Sequence, residues 1–241
     1  MSGVFVSALD FSKWLKIFDY KNLESFLRSE KGQGGTGEAV LRFMAAYLIY
    51  QVPITLISLV RILFAGALLG AASAALGSLV GGVGITATLI SFGAGVVLSP
   101  LLFLIGNLTQ HIIAGALGGR GRFADLLHLD SYVSAASYLG ALAIGIIPQL
   151  LTLIPAIGTL LGGGLSCLLI PVAIIFGLYM LYASYKTIQV NYELSGGRAA
   201  AAFILNILLW IAIGLVILVI FYLIFGAALL SGMLAAQQLA R

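Results

Sequence analysis

Charged side chains are scarce in this sequence. Of its 241 residues only 8% are Asp, Glu, Lys or Arg, whereas 61% are hydrophobic. A soluble domain carries about 25% charged residues, so a water-covered surface is excluded and most of the exterior must face lipid. Lipid cannot hydrogen-bond the backbone, which leaves helices or closed barrels. A barrel would show short alternating segments, but the apolar runs here are long and unbroken, so we expect an all-α polytopic membrane protein.

Residues for metal and thiol chemistry are also few. A single cysteine, Cys167, excludes an intramolecular disulfide, and two histidines, His111 and His128, do not make a zinc site without a second thiol. We expect Cys167 to be a buried, inert packing residue, and we expect no metal or other cofactor. No basic, aromatic-rich surface indicates nucleic acid as a partner. Charged residues interrupt the first apolar stretch, so a cleavable signal peptide is not expected.

Five apolar segments are long enough to predict membrane spans, since one crossing takes about 20 residues. A tight glycine turn at Ile157-Gly-Thr-Leu-Leu-Gly-Gly-Gly164 is predicted to join the third span to the fourth. The Gly- and Ala-rich stretch 62–84 is expected to lie on the outer side, or to dip back into it, without crossing. The predicted spans cover about residues 39–60, 86–117, the two parts of 131–185 on either side of the glycine turn, and 198–226.

Lysine and arginine residues predict the orientation through the positive-inside rule. With five spans and a cytoplasmic N-terminus, only Arg61 and Arg241 of the 12 Lys and Arg residues lie outside. A sixth span at 62–84 would move Arg120 and Arg122 outside and weaken this bias. We therefore expect a cytoplasmic N-terminal segment 1–38, a five-span domain 39–230, and an external or lumenal tail 231–241.

An apolar stripe at helical spacing, with lysines beside it, distinguishes the N-terminal segment. The pattern is typical of a short amphipathic helix that lies on the membrane surface with its lysines among anionic headgroups. The alternative is a helix that packs its stripe on the protein's own spans. The residues of this candidate surface helix are Phe11, Lys13, Trp14, Lys16 and Phe18.

Polar side chains are few within the predicted spans, and all eight carboxylates are expected outside them. Ionisable residues inside a membrane usually mark ion pathways or proton relays, so their absence counts against proton-coupled transport. One intramembrane polar cluster is a candidate for hydrogen bonds between helices or for a ligand: Asn107, Gln110 and His111. His111 has no nucleophile or carboxylate at helical spacing, and we expect it to be structural rather than catalytic or metal-binding.

One segment resembles the signature of a known family. Gln110-His-Ile-Ile-Ala-Gly-Ala-Leu-Gly-Gly-Arg-Gly-Arg-Phe123 looks like the pattern of the Yip-one domain family, the Ypt/Rab-interacting membrane proteins and their prokaryotic relatives. That pattern has a histidine late in a span, then Gly-Gly-x-Gly-x-Phe in a cytoplasmic turn, then a span that begins with tyrosine. The matching residues are His111, Gly118, Gly119, Gly121, Phe123 and either Tyr132 or Tyr138.

Three later segments extend the resemblance. Ile154-Pro-Ala-Ile-Gly158 resembles the family's Ile-Pro hairpin, and Gly177-Leu-Tyr-Met-Leu-Tyr-Ala183 with Ser195-Gly-Gly-Arg-Ala199 resembles its fourth span and the entry to its fifth. The long N-terminal region of eukaryotic members is missing, which places the chain nearer the prokaryotic type and its cell membrane. The resemblance implies five spans with the N-terminus inside, and a role in trafficking or membrane shaping.

The same loop is the candidate interaction surface on the cytoplasmic side. Its glycines end a helix where a positive φ is readily adopted, and its arginines would face anionic headgroups or an acidic protein partner. Glycine pairs at i, i+4, such as Gly66/Gly70 and Gly77/Gly81, let helices approach closely, and an oligomer is compatible with them. The loop residues are Gly118, Gly119, Arg120, Gly121, Arg122 and Phe123.

Three functional hypotheses follow. The first is a non-enzymatic membrane-organising or adaptor protein that acts through lipid contact and its cytoplasmic face. The second is a passive or weakly selective small-solute transporter or channel, for which the polar span residues would have to line one hydrated cavity. The third, an intramembrane enzyme, would require His111 to meet a nucleophile or carboxylate in the fold. The expected cavity residues are Gln51, Asn107, Gln110, His111 and Gln149.

Overall fold

The protein is a bundle of long helices. The computed structural model describes residues 8–154 and 157–239, with side chains as far as Leu223. Five helices, α3 to α7, are long and apolar enough to cross a membrane, which confirms the expected all-α polytopic architecture. The helices are α1 (Phe11–Leu15), α2 (Leu23–Glu30), α3 (Thr36–Ala72), α4 (Ala74–Ala116), α5 (Phe123–Leu151), α6 (Gly158–Tyr192) and α7 (Gly196–Leu239), with one 3₁₀ turn at Lys16–Phe18.

The two ends of the bundle differ, because the N-terminal segment packs on only one of them. At one, the N-terminal segment 8–35 and the loops 117–122 and 193–195 lie together. The Arg120 amide donates to the Tyr192 carbonyl at 3.2 Å, and the Lys31 ammonium donates to Glu193 at 2.8 Å. We call this the capped end. The opposite end holds the α3–α4 turn and the α5–α6 connection. Most large apolar side chains between the two ends are exposed on the outside of the bundle, as a lipid-facing surface requires.

The stretch 62–84 forms no helix of its own, and five long apolar helices are found, as expected. It extends α3 and α4 as one continuous hairpin whose turn is Ser73, with an extended backbone (φ −159°). The Ser73 side chain accepts from the Leu76 amide and so caps α4. Glycines on the facing helices permit this, because a Cβ on Gly77 would lie 2.4 Å from the Gly70 Cα.

The glycine turn predicted between the third and fourth spans was placed wrongly. The turn comes earlier, after Leu151, and Gly158 already begins α6. The glycines serve close packing instead, because a Cβ on Gly162 would lie 2.6 Å from the Pro148 carbonyl oxygen. Within the Ile154–Gly158 motif, residues 155–156 lie outside the described residues.

The long helices extend beyond the predicted spans and so include some of the carboxylates. α5 begins at Phe123, directly after the glycine-rich loop, and so contains Asp125 and Asp130. Glu38 lies in the first turn of α3. The apolar count marks only the uncharged part of a helix, so it did not predict where these helices begin. Cys167 was expected to be buried but is exposed on α6, on an apolar surface.

The N-terminal segment packs on the bundle. Trp14 and Ile17 are fully buried in a cluster with Leu129 and Tyr132 of α5 and Met180 of α6. The apolar stripe is therefore divided. Trp14 follows the second interpretation, a helix packed on the protein's own spans, and the expectation that it lies against lipid was wrong.

The rest of the stripe remains on the surface. Phe11 and Phe18 are exposed, and the helix they were predicted to share ends at Leu15 and continues as a 3₁₀ turn. Lys13 pairs with Glu30 at 2.8 Å, whereas Lys16 is exposed with its ammonium near the Phe26 ring. Contact with anionic lipid at this segment therefore depends on the exposed residues alone.

Fluorescence can test the burial of Trp14, because the chain has only two tryptophans, Trp14 and Trp210. In bilayers of brominated lipid, a Trp210→Phe variant should show weak quenching because Trp14 is covered by protein. A Trp14→Phe variant should be quenched more strongly, since Trp210 is only partly buried on α7. Equal quenching of the two variants would contradict the packing of the N-terminal segment.

Candidate functional site

A buried arginine is the centre of the capped end. Arg42 of α3 has no exposed surface. Its guanidinium donates to Glu38 at 2.6 Å and to the Ser131 hydroxyl at 2.7 Å, and it lies 3.6 Å from the centroid of the Tyr132 ring. A buried guanidinium is tolerated when its charge is paired and most of its donors are used, and in the described residues Nε is the only guanidinium nitrogen of Arg42 that lacks a hydrogen-bond partner. These contacts therefore join α3 firmly to α5.

Glu30 extends this network to the N-terminal segment. Its carboxylate accepts from the Tyr132 hydroxyl and from the Lys13 ammonium, both at 2.8 Å, and it lies 3.5 Å from His128 Nε2. Burial alone would raise the pKa of Glu30, but the hydrogen bonds from Lys13 and Tyr132 hold that pKa below its usual value. The carboxylate is thus kept ionised and links α1, α2 and α5.

The lowered pKa of Glu30 makes the attachment of the N-terminal segment sensitive to acid. A carboxylate whose pKa is lower in the folded state stabilises it above the unfolded pKa of about 4.3, and the contribution is lost as the pH falls through the folded pKa. The groups facing it are Lys13, His128, Tyr132 and, behind them, Arg42. Acidification should therefore loosen the segment in the wild type.

A Glu30→Gln variant provides the measurement. It should unfold with about 1.5–3 kcal/mol less free energy at neutral pH, the usual value of hydrogen bonds to a charged group. Its Trp14 emission, followed between pH 7 and pH 3 in a Trp210→Phe background, should change less than that of the parent. An identical acid transition in the two proteins would show that Glu30 is not the responsible group.

The glycine-rich loop is held against the end of α6. Gly118 has a φ of +89°, the conformation expected for a glycine that ends a helix. Gly119 and Gly121 are needed for close approach, because a Cβ on Gly121 would lie 2.6 Å from the Asn191 carbonyl oxygen. The Asn191 side chain donates to the Arg122 carbonyl at 3.2 Å. The loop is therefore a fixed surface.

The predicted intramembrane polar cluster is divided by the fold. His111 Nδ1 lies 2.6 Å from the Tyr192 hydroxyl, and its ring packs beside Phe123. Asn107 and Gln110 lie elsewhere on α4, facing a cavity. His111 thus helps to hold the glycine-rich loop and the end of α6 together.

Three arginines are exposed close together at the capped end. Arg120 and Arg122 project from the loop, and Arg198 lies beside it, with one guanidinium nitrogen 3.5 Å from where a Cβ on Gly118 would stand. In the described parts of the chain none of the three has a carboxylate within 4 Å. We call these three residues the arginine surface.

A polar crevice lies between α4, α5, α6 and α7. It has a volume of about 240 Å³. The Asn107 amide donates to Asp130 at 2.9 Å and to the Phe103 carbonyl at 3.0 Å. Gln110 is 6% exposed, and its amide nitrogen has no hydrogen-bond partner. The polar lining comprises Asn107, Gln110, Asp130, Ser184, Thr187 and Asn206.

The five residues expected to line one hydrated cavity do not share one. Asn107 and Gln110 line the polar crevice, but Gln51 lines a separate cavity that includes Arg61. His111 is engaged with Tyr192, and Gln149 lies in the last turn of α5 at the opposite end. In the described residues, the expected cavity residues therefore form no single cavity that would favour the channel hypothesis.

Sequence reasoning missed Glu30, Arg42 and Asp130 as site residues. Each acts through partners far away in sequence, 86 to 102 residues for the Arg42 and Glu30 contacts with α5. Only Asp130 carried a local signal, its position one residue before a predicted span. In the described residues, no three His, Cys, Asp or Glu side chains are grouped to hold a metal ion.

No family model, curated protein or solved structure matches the chain.

Proposed function

We propose that the chain is a non-enzymatic membrane-organising protein of Yip type, with its capped end in the cytoplasm. The arginine surface carries this proposal. Two of the three exposed guanidinium groups stand on a loop that is fixed by Asn191 and Tyr192, the third lies beside it on α7, and in the described residues none has a carboxylate within 4 Å. Such a surface is complementary to anionic lipid headgroups. By this proposal the protein gathers anionic lipid in its own leaflet.

The electrostatic attraction between these arginines and anionic headgroups is strong enough for selective lipid contact. One arginine close to an anionic membrane surface contributes about 1 kcal/mol, which corresponds to about a fivefold change in an equilibrium constant. The attraction weakens over a Debye length of about 8 Å at physiological salt. Because the loop is already ordered, little conformational freedom is lost on contact.

The test measures anionic lipid near the protein in reconstituted vesicles. A fluorophore on Gln33→Cys, in a Cys167→Ala background, reports energy transfer either to labelled anionic lipid or to labelled neutral lipid. Wild-type contacts should enrich anionic over neutral lipid about fivefold or more, and high salt should remove the enrichment. Changing all three residues of the arginine surface to glutamine should abolish it, whereas Arg61→Gln at the opposite end should not. Enrichment that survives in the triple variant would refute the proposal.

Cysteine labelling tests the proposed orientation. In the Cys167→Ala background, Gln33→Cys and Ser195→Cys should react only from the cytoplasmic side, because both residues are exposed at the capped end. Ala74→Cys and Leu160→Cys, exposed at or near the opposite end, should react only from outside. Labelling of Ser195→Cys by an impermeant reagent in intact cells would contradict the proposed orientation.

A further inference from the structure

We propose that the polar crevice binds a primary ammonium group that is carried next to a hydrogen-bond acceptor, as in a 2-aminoethyl phosphate headgroup. This proposal is independent of the arginine surface, since it concerns the space between α4, α5, α6 and α7. Asp130 would receive the ammonium group and Gln110 would donate to the acceptor.

Asp130 provides the carboxyl group, which an ammonium ligand would bind in its ionised form. One of its oxygens accepts from Asn107, and the other accepts no hydrogen bond from the described residues. No Lys, Arg or His in the described ranges lies within ion-pair distance of it. A carboxylate at a membrane-spanning helix is costly without a partner, and Asp130 is only partly buried. A cation that enters the crevice can therefore reach it.

Gln110 provides the second, independent requirement. Its side chain is more than nine-tenths buried and lines the same cavity, yet its amide nitrogen has no acceptor. Buried polar groups in proteins almost always have a partner. A simple metal cation would leave this donor unsatisfied, whereas a ligand with an acceptor beside its charge would satisfy both Gln110 and Asp130.

Size and depth favour a lipid headgroup as the source of this chemistry. A cavity of about 240 Å³ is larger than a single ion needs and smaller than the pockets of drug-sized ligands, about 300–1,000 Å³. Asp130 lies about 10 Å along α5 from its start at Phe123, at 1.5 Å per residue. Leu102 at the rim is 53% exposed, so the crevice opens onto the lipid-facing surface.

The number of N–H donors on the ammonium group decides whether a primary or a quaternary amine fits the crevice. A primary ammonium has three N–H donors, as on lysine, and can bond the free oxygen of Asp130 directly. A quaternary ammonium has none. The crevice should therefore prefer an ethanolamine headgroup to a choline headgroup with the same acyl chains.

Native mass spectrometry of the full chain in mixed micelles can measure this preference. Wild-type protein should retain phosphatidylethanolamine over phosphatidylcholine about tenfold or more, equivalent to about 1.4 kcal/mol. Asp130→Asn, which keeps the shape, should lose the preference, and the exposed acid Asp19→Asn should keep it. Both lipids are net neutral, so the arginine surface does not affect the result.

Two further arms complete the test. Soluble 2-aminoethyl phosphate that displaces the lipid would identify a free amine as a competent ligand, whereas no displacement would identify the membrane-borne headgroup. Should Asp130→Asn not fold, stepwise N-methylation of the headgroup should weaken retention by the wild type at each step. Equal retention across the methylation series, or a preference unchanged in Asp130→Asn, would overturn the proposal.

Discussion

Replacement of Arg42 by methionine is expected to lower the free energy of unfolding by about 3–5 kcal/mol, because removing one partner of a buried ion pair leaves the other uncompensated. The guanidinium is fully buried, pairs with Glu38, and covers the Tyr132 ring. Its loss also leaves the Ser131 hydroxyl without its donor. Reversible unfolding in mixed micelles, followed by circular dichroism, would measure the change.

Three comparisons separate this effect from the loss of a long side chain. Arg61→Met changes an exposed arginine of the same helix and should stay within about 0.5 kcal/mol of wild type. Arg42→Lys keeps the charge but loses the planar stack and the paired donors, so it should be intermediate. The double variant Arg42→Met/Glu38→Gln should recover part of the loss. If Arg42→Met is no less stable than Arg61→Met, the network does not hold α3 to α5.

Apolar length predicted the number of long helices, since a crossing requires about 20 apolar residues wherever it occurs. It did not predict what the glycines do. Gly77 and Gly162 lie in helices and serve close packing, although one belonged to a stretch expected outside the spans and the other to an expected turn. A glycine permits either use. The i, i+4 pairs Gly66/Gly70 and Gly77/Gly81 are compatible with close packing, but only the facing helix shows whether a glycine is used in this way.

In the candidate sites, too, features set by local sequence could be predicted and pairings between distant residues could not. Gly118 adopts the positive φ that its place after a helix predicted, because the requirement is local. The pairing of Glu30 with Tyr132 across 102 residues could not be predicted from spacing. Trp14 lay between these cases, because its stripe fitted lipid and protein equally, and only the partner cluster on α5 and α6 decides between them.

The position of Asp130 changes one functional argument. The sequence counted against proton-coupled transport because no carboxylate was expected inside a span. Asp130 lies in α5, one of the helices long and apolar enough to cross a membrane, and faces a crevice, so this carboxylate weakens that argument. An ionisable group at such a place is a functional-site candidate by default.

The second large effect is expected at Gly77, where the backbones of α3 and α4 are in close contact. A valine there would place its Cβ 2.4 Å from the Gly70 Cα and 2.7 Å from the Gly66 carbonyl oxygen. Both neighbours are backbone, so no side chain can turn aside and the two helices must separate. Overpacking of this kind costs about 1–3 kcal/mol, occasionally more, and we expect Gly77→Val to reach the upper part of that range.

Gly82 on the same helix supplies the matched control, because a Cβ there meets nothing within 4 Å. Gly82→Val introduces the same β-branched residue without a clash, so its unfolding free energy should stay near that of wild type. Spin labels at Leu68 and Leu79, both exposed on the hairpin, should move apart in Gly77→Val and keep their spacing in Gly82→Val. If the two variants have the same stability and the same label distance, α3 and α4 do not pack through these glycines, and the stretch 62–84 is not a closely packed hairpin.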